Sequence, residues 1–272
     1  MAKAELVFVA TIDGVHTFSN PGGIGRWLRA GHALQSHAIQ ALWANPLDPT
    51  MLIASSATSS WRSLDGGQQW QAVAMPAMQQ FVASRTLPQR VFARDHTYAY
   101  LSHDAGATWQ QLAYATDISA GGDTLWYGDA TTSHHSHDGG GTWHASPTIK
   151  RLLLSNDGNQ RLTMTHDNRW ECDTQALPPA PTNWQATTIL AGAPLAILGV
   201  AEHQLYAYHI TWQISDPLIA PSVIHATTYH PDRVWVGDDT GTLWYSEQRG
   251  LAWQPIRTGL PAITAIASAR LI

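Results

Sequence analysis

Ser63-Leu64-Asp65-Gly66-Gly67-Gln68-Gln69-Trp70, Ser102-His103-Asp104-Ala105-Gly106-Ala107-Thr108-Trp109 and Ser136-His137-Asp138-Gly139-Gly140-Gly141-Thr142-Trp143 align without a gap. A fourth octet, Ser246-Glu247-Gln248-Arg249-Gly250-Leu251-Ala252-Trp253, keeps Ser, Gly and Trp but carries Gln248 where the others carry Asp. At average residue usage, one chance match to Ser-x-Asp-x-Gly-x-x-Trp in a chain of this length has a likelihood on the order of 0.1 to 1%. Three matches mean a repeated structural unit.

The chemistry of the octet explains its spacing. A short carboxylate ahead of a Gly-rich reversal can accept the backbone N–H groups of its own turn, and glycine supplies the positive φ that the reversal demands. The tryptophan then opens the next strand and buries its ring between neighbouring sheets. Asp65, Asp104 and Asp138 are therefore expected to fasten turns, at blade-separated positions too far apart to act on one bond. Ser63, Gly67, Trp70, Ser102, Gly106, Trp109, Ser136, Gly140, Trp143, Ser246, Gly250 and Trp253 are expected to be structural with them.

Trp27, Trp184 and Trp212 extend the series. The seven tryptophans recur about every 38 residues, the length of one propeller blade. Within a unit, four short strands can be marked off by turn residues: Ala38 to Asn45, Thr50 to Ala57, Ser59 to Leu64 and Gln69 to Ala74 in the second. No segment shows a helical period. The expected fold is all-β: residues 1–272 form a single seven-bladed β-propeller of four-stranded antiparallel blades. The segment Ile263-Thr264-Ala265-Ile266-Ala267-Ser268 reads as an innermost strand with no blade after it, and Glu5 to Ala10 as a second strand with none before it. Pairing the two closes the ring and removes its open edges. The layout of blades five and six stays open, because Trp184 and Trp212 lie only about 28 residues apart, short of a full blade.

At the octets the chain resembles the Asp-box (BNR) repeat propellers, a group that includes sialidases, sortilin-like receptors, xyloglucanases and photosystem II assembly factors. Ala38-Ile39-Gln40-Ala41-Leu42-Trp43-Ala44-Asn45-Pro46, followed by Leu52-Ile53-Ala54 and the first octet, is similar to the repeat of the single-propeller assembly factors. That likeness implies non-catalytic docking to a protein through a basic patch. The sialidase likeness implies an arginine triad, a Tyr/Glu nucleophile pair and an acid/base Asp on six blades. This chain lacks the arginine-containing entry motif, and its only glutamates are Glu5, Glu171, Glu202 and Glu247. A xyloglucanase-like hydrolase would pair two propellers, and this length supplies one.

Composition narrows the partners. Hydrophobic residues make up 44% and charged residues 13% of the 272 residues, which suits a folded globular chain. With 15 basic against 20 acidic residues and no Lys/Arg-rich run, neither nucleic acid nor an anionic membrane surface is an expected partner. The N-terminus enters a strand with no apolar leader, and no run approaches the ~18 apolar residues of a membrane helix. A cytoplasmic, monomeric protein without a cofactor is expected. The lone Cys172 reads as a small buried apolar residue.

His134-His135-Ser136-His137 suggests a metal, since imidazole is the commonest metal ligand. Alignment on the octet opposes that reading: His134 falls where other blades carry Trp61, Tyr100 and Trp244, a packing slot. Strand alternation leaves only His135 and His137 able to share an ion. We expect no metal there.

If the octets join third and fourth strands, the loops joining second and third strands lie on the opposite face. Those loops carry Asp13, Arg94, Asp95, His96, Asp129, His166, Asp167, Glu202, His203, Asp238 and Asp239, and His37 comes from a connection between blades. Lys150, Asp117 and Arg257 come from other such connections. This ring of carboxylates and imidazoles is the expected site for a protein, small-molecule or glycan ligand. The expected role is binding or scaffolding, with a metal-assisted lyase or glycoside-acting enzyme at the channel mouth as the alternative.

Overall fold

The computed structural model describes residues 4–23, 25–84, 86–129, 131–145, 149–165, 167–216 and 218–271. Seven four-stranded antiparallel sheets form a ring. Blade two runs Ile39–Ala44, Leu52–Ser56, Ser60–Ser63 and Gln71–Val73 from the inside outward. The one helical element among the described residues is a 3-10 turn, Pro21–Gly23.

Burial follows position in the blade. The second strand lies between two neighbouring sheets and two flanking strands, so Leu52–Ser56 and Val234–Asp238 are buried at every residue. Fourth strands meet water, and Gln71–Val73 is largely exposed. The core is therefore a series of seams between blades, such as Phe8, Val15, Leu42 and Leu52 between blades one and two. Near 25 cal/mol per Å² of apolar surface, these seams are the main stabilising contribution.

The ring closes as the termini predict. Ile263–Arg270 pairs with Glu5–Thr11, which pairs in turn with Gly14–Asn20, so blade one contains both ends of the described chain. Glu5, 3% exposed, forms an ion pair with Arg233 of blade seven, which also meets Glu247 at 2.9 Å. That pair fastens the closing seam.

Blades five and six both have four strands. Blade five runs Ile149–Leu154, Arg161–Thr165, Trp170–Cys172 and Gln175–Ala176; blade six runs Gln185–Leu190, Ala196–Ala201, Gln204–Tyr208 and Trp212–Asp216. Trp184 does not open a fourth strand, contrary to its place in the tryptophan series. It leads into the first strand of blade six and packs edge-on against Trp170 and Trp212. Blade five has no octet: its third and fourth strands are joined by Asp173 and Thr174, both with positive φ.

Candidate functional site

The octets behave as fasteners. Ser63 Oγ donates to Asp65 Oδ1 (2.8 Å) and accepts from the N–H of Gly67 (2.9 Å), while Asp65 Oδ1 accepts from the N–H of Gln69 (2.9 Å). The same three bonds recur around Ser102 and Asp104 and around Ser136 and Asp138. Partial burial opposes ionisation of Asp104, but donors from Thr108 and Ser102 outweigh it and hold the carboxyl at about 2. Gly67, Gly106, Gly140 and Gly250 all have φ between +81° and +94°, and a Cβ on Gly106 or Gly140 would strike Ile53 or Leu101 of the preceding blade. In the fourth octet, which lacks the Asp, the buried Arg249 takes over the fastening: it donates to the carbonyls of Ala191 and Pro194 (both 2.9 Å) in blade six.

These turns occupy one face, so the opposite face carries the other loops. Between the two runs a central channel of about 320 Å³, lined by the first strands of all seven blades. Its lining mixes Gln40, Ser119, Thr188, His225 and Ser268 with apolar side chains such as Leu42, Phe81, Leu153 and Ile224, so the channel is of mixed polarity. His225 Nε2 lies 2.9 Å from Ser268 Oγ, and burial pulls the imidazole down to about 4, so it is neutral at pH 7.

On the face opposite the octets, the mouth widens between blades three, four and five into an open cavity of about 580 Å³. Three cations line it: Arg94 at the end of a second strand, and Lys150 and Arg151 at the start of the next innermost strand but one. One carboxylate, Asp117, faces them. Arg151 binds Asp117 through Nε alone (2.6 Å), and Arg94 uses Nε on Gln80 (2.9 Å) and Nη1 on the Asp95 carbonyl (3.2 Å). Among the described residues, Arg94 Nη2 and both Nη atoms of Arg151 have no hydrogen-bond partner. Those donors, with the Lys150 ammonium, suit an anionic group and above all a carboxylate, which a guanidinium grips with two parallel N–H donors.

The remaining expected rim residues are scattered around the face, most of them bound into their own turns. Asp95 accepts from the N–H groups of Thr97 (2.6 Å) and Tyr98 (2.7 Å) and from the Tyr100 hydroxyl (2.9 Å). Burial works against its ionisation, and these three donors still hold its pKa low. Asp129 accepts from Thr131 and Thr132 in the same way, and Asp238 from Thr240, Thr242 and the Trp244 indole. Asp167 pairs with Thr165 and Arg169, and Asp13 accepts from the N–H of Ser36 (2.7 Å). His96 meets the Gln79 carboxamide, and His37 packs edge-on against Trp61. Glu202 and His203 form an exposed two-residue turn with positive φ, and Asp239 is exposed. His166 lies outside the described residues.

Arg151 is the mouth residue that the loop-based reading missed. It begins a strand rather than sitting in a loop, yet Lys150-Arg151 is the only adjacent pair of basic residues in the sequence. Elsewhere, His134 stacks on Tyr127 at 5.0 Å in its packing slot, and the His135 and His137 rings lie 4.9 Å apart. Among the described residues no three His, Cys, Asp or Glu side chains converge as metal ligands. Cys172 is buried, and burial, followed by Asp173, pushes its thiol up to about 11.

Among the described residues no helix is long and apolar enough to cross a membrane. No family model matches the sequence, and neither does any curated protein. Solved structures do resemble the fold. An ancestral GH74 enzyme is 14% identical over 91% of this chain with a TM-score of 0.53, and the chain spans only 46% of that enzyme. A protein from Lactobacillus plantarum is 10% identical over 99% of this chain and 100% of its own, with a TM-score of 0.62. YCF48 bound to D1 peptide is 12% identical over 89% of this chain and 87% of its own, with a TM-score of 0.56. At these identities the likeness is one of fold, and the chain is a seven-bladed β-propeller whose neighbours include both a peptide binder and an enzyme.

Proposed function

We propose that this chain is a non-catalytic binding propeller that captures an anionic segment of a protein partner at the channel mouth opposite the octets. The observation that carries the reading is the cavity lined by Arg94, Lys150 and Arg151 against the single carboxylate Asp117. In a chain of net charge -5, such a local excess of cations is a focused field rather than a general property of the surface. The likeness to YCF48 bound to D1 peptide supports a peptide as the occupant. The octets and their Asp-box resemblance supply the scaffold. Asp95, Asp129 and Asp238 spend their lone pairs on local donors, which favours binding over acid-base chemistry at this rim.

The test is fluorescence anisotropy with a labelled tetraglutamate peptide bearing a free C-terminus. Binding should weaken as salt rises, and the double variant Arg94→Glu, Arg151→Glu should lose at least about tenfold in affinity. Equal binding by wild type and double variant, or no binding at low salt, would count against the reading.

A further inference from the structure

The two guanidiniums at the mouth are each held at Nε by a side chain that begins an innermost strand. Gln80 begins Gln80–Ala83 of blade three, and its Oε1 accepts from Arg94 Nε (2.9 Å). Asp117 begins Asp117–Gly121 of blade four, and its Oδ2 accepts from Arg151 Nε (2.6 Å). With Nε occupied in both, each arginine offers a ligand the Nη end of its fork.

The two holders are themselves linked. Gln80 Nε2 donates to the Ile118 carbonyl (3.4 Å), and the Ile118 N–H donates to Asp117 Oδ1 (3.0 Å). One chain of polar contacts therefore runs from Arg94 through Gln80, Ile118 and Asp117 to Arg151, across blades three, four and five. The guanidiniums stand at its two ends. Arg94 is fixed at a further point, where Nη1 donates to the Asp95 carbonyl (3.2 Å).

The charges agree with two grips rather than one. Arg94, Lys150 and Arg151 line the cavity against the single carboxylate Asp117, and both oxygens of that carboxylate are engaged. Lys150 Nζ donates to the neutral Asn168 Oδ1 (3.0 Å). Three cations against one carboxylate leave two positive charges in the lining, and a ligand with one carboxylate would answer only half of that excess.

We infer that the mouth is a double clamp for two carboxylates carried on one extended segment, one gripped by Arg94 and the other by Arg151. Gln80 is the positioning residue that aims Arg94. The assignment rests on the acidic-peptide reading of this mouth and narrows it from an acidic segment to a paired acid. In an extended chain, residues i and i+2 point to the same side and adjacent residues to opposite sides. Two acids with one residue between them therefore suit two grips on one opening, and an adjacent pair does not.

Fluorescence anisotropy with end-blocked glycine peptides, in which only side chains carry charge, tests the clamp. One peptide carries a single glutamate, one two adjacent glutamates, and one two glutamates separated by a glycine. The separated pair should bind at least about tenfold more tightly than the single acid, and at least about threefold more tightly than the adjacent pair of equal charge. Gln80→Met keeps every charge. It should weaken the separated pair at least about fivefold, but cost nothing further once Arg94→Gln has removed the group it aims. Equal affinity for the two equally charged peptides, no loss in Gln80→Met, or the same loss with and without Arg94 would each overturn the double clamp, while binding of tetraglutamate would keep the acidic-peptide reading. Failure of tetraglutamate itself to bind would overturn both.

Discussion

The seams on either side of blade four are built from the same kind of sheet and differ in one turn. Between blades three and four, Trp143 packs against Phe92 and Tyr127, with ring centroids 6.1 and 4.8 Å away, and the Gly140 backbone lies against Leu101. Arg90 adds a bond to the Asp138 carbonyl (2.9 Å). Between blades four and five, a two-residue turn supplies no ring and no carbonyl ledge, and an arginine stands where a leucine or valine stands elsewhere. The octet therefore does two jobs at once: it satisfies its own turn and completes the neighbouring seam. Its loss leaves the seam between blades four and five without that ring.

The largest effect expected from this contrast comes from emptying the filled seam. Trp143→Ala should cost about 3 to 5 kcal/mol in urea unfolding, because the side chain leaves a cavity between two sheets that cannot collapse. A loss below about 1 kcal/mol would mean that the indole contributes little beyond what the open seam already lacks.

Acid should act on the ring as a whole. The folded protein holds His225 near 4, well below the ordinary 6.5, so protonation favours the unfolded chain. Its contribution is intact above pH 6.5, is lost as pH falls from 6.5 to 4, and levels off below that. Channel water reaches part of this residue, so the loss should be on the order of 1 to 3 kcal/mol. His135 at the open seam shifts the same way, through burial first and then its neighbours His137 and His144. Urea midpoints across this range should flatten in His225→Gln, and an unchanged slope would exclude His225 as the source.

Next in size, Asp104→Ala should cost about 1 to 2 kcal/mol, since it strips acceptors from Thr108 and Ser102. Because the carboxyl is lowered from the ordinary 3.8 to about 2 in the folded protein, the wild-type advantage should be nearly full above pH 4, decline steadily from 3.8 to 2 and level off below that. The smallest expected effect is Arg161→Leu, within about 1 kcal/mol of wild type and in the stabilising direction. A clear destabilisation would show that Arg161 is already engaged in holding the seam.

What the sequence revealed, and what it hid, follows from the range of the interactions involved. The octets were legible because their chemistry is local: Ser, Asp and Gly meet within a few residues, and the ring closure follows from two strands lacking partners. Trp184 misled because its spacing fits the series, although it enters an innermost strand. The two-residue turn at Asp173 hid the blade-five boundary for the same reason. At the rim, Asp95, Asp129 and Asp238 resembled ligands because an aspartate holding its own turn looks like one awaiting a guest. The cationic mouth was not legible, since Arg94 and Lys150-Arg151 meet only when blades three and five flank one opening.

The central claim is a division of labour between the two faces, and one paired measurement tests it. Thermal unfolding and tetraglutamate binding would be recorded for Trp143→Ala and for the Arg94→Glu, Arg151→Glu double variant. The account predicts that Trp143→Ala lowers Tm but binds peptide like wild type at a temperature where it stays folded, and that the double variant, which gives up the Arg151–Asp117 ion pair and with it some Tm, loses at least about tenfold in affinity at a temperature where it too stays folded. Loss of binding in the folded Trp143→Ala protein, with full binding in the double variant, would contradict it.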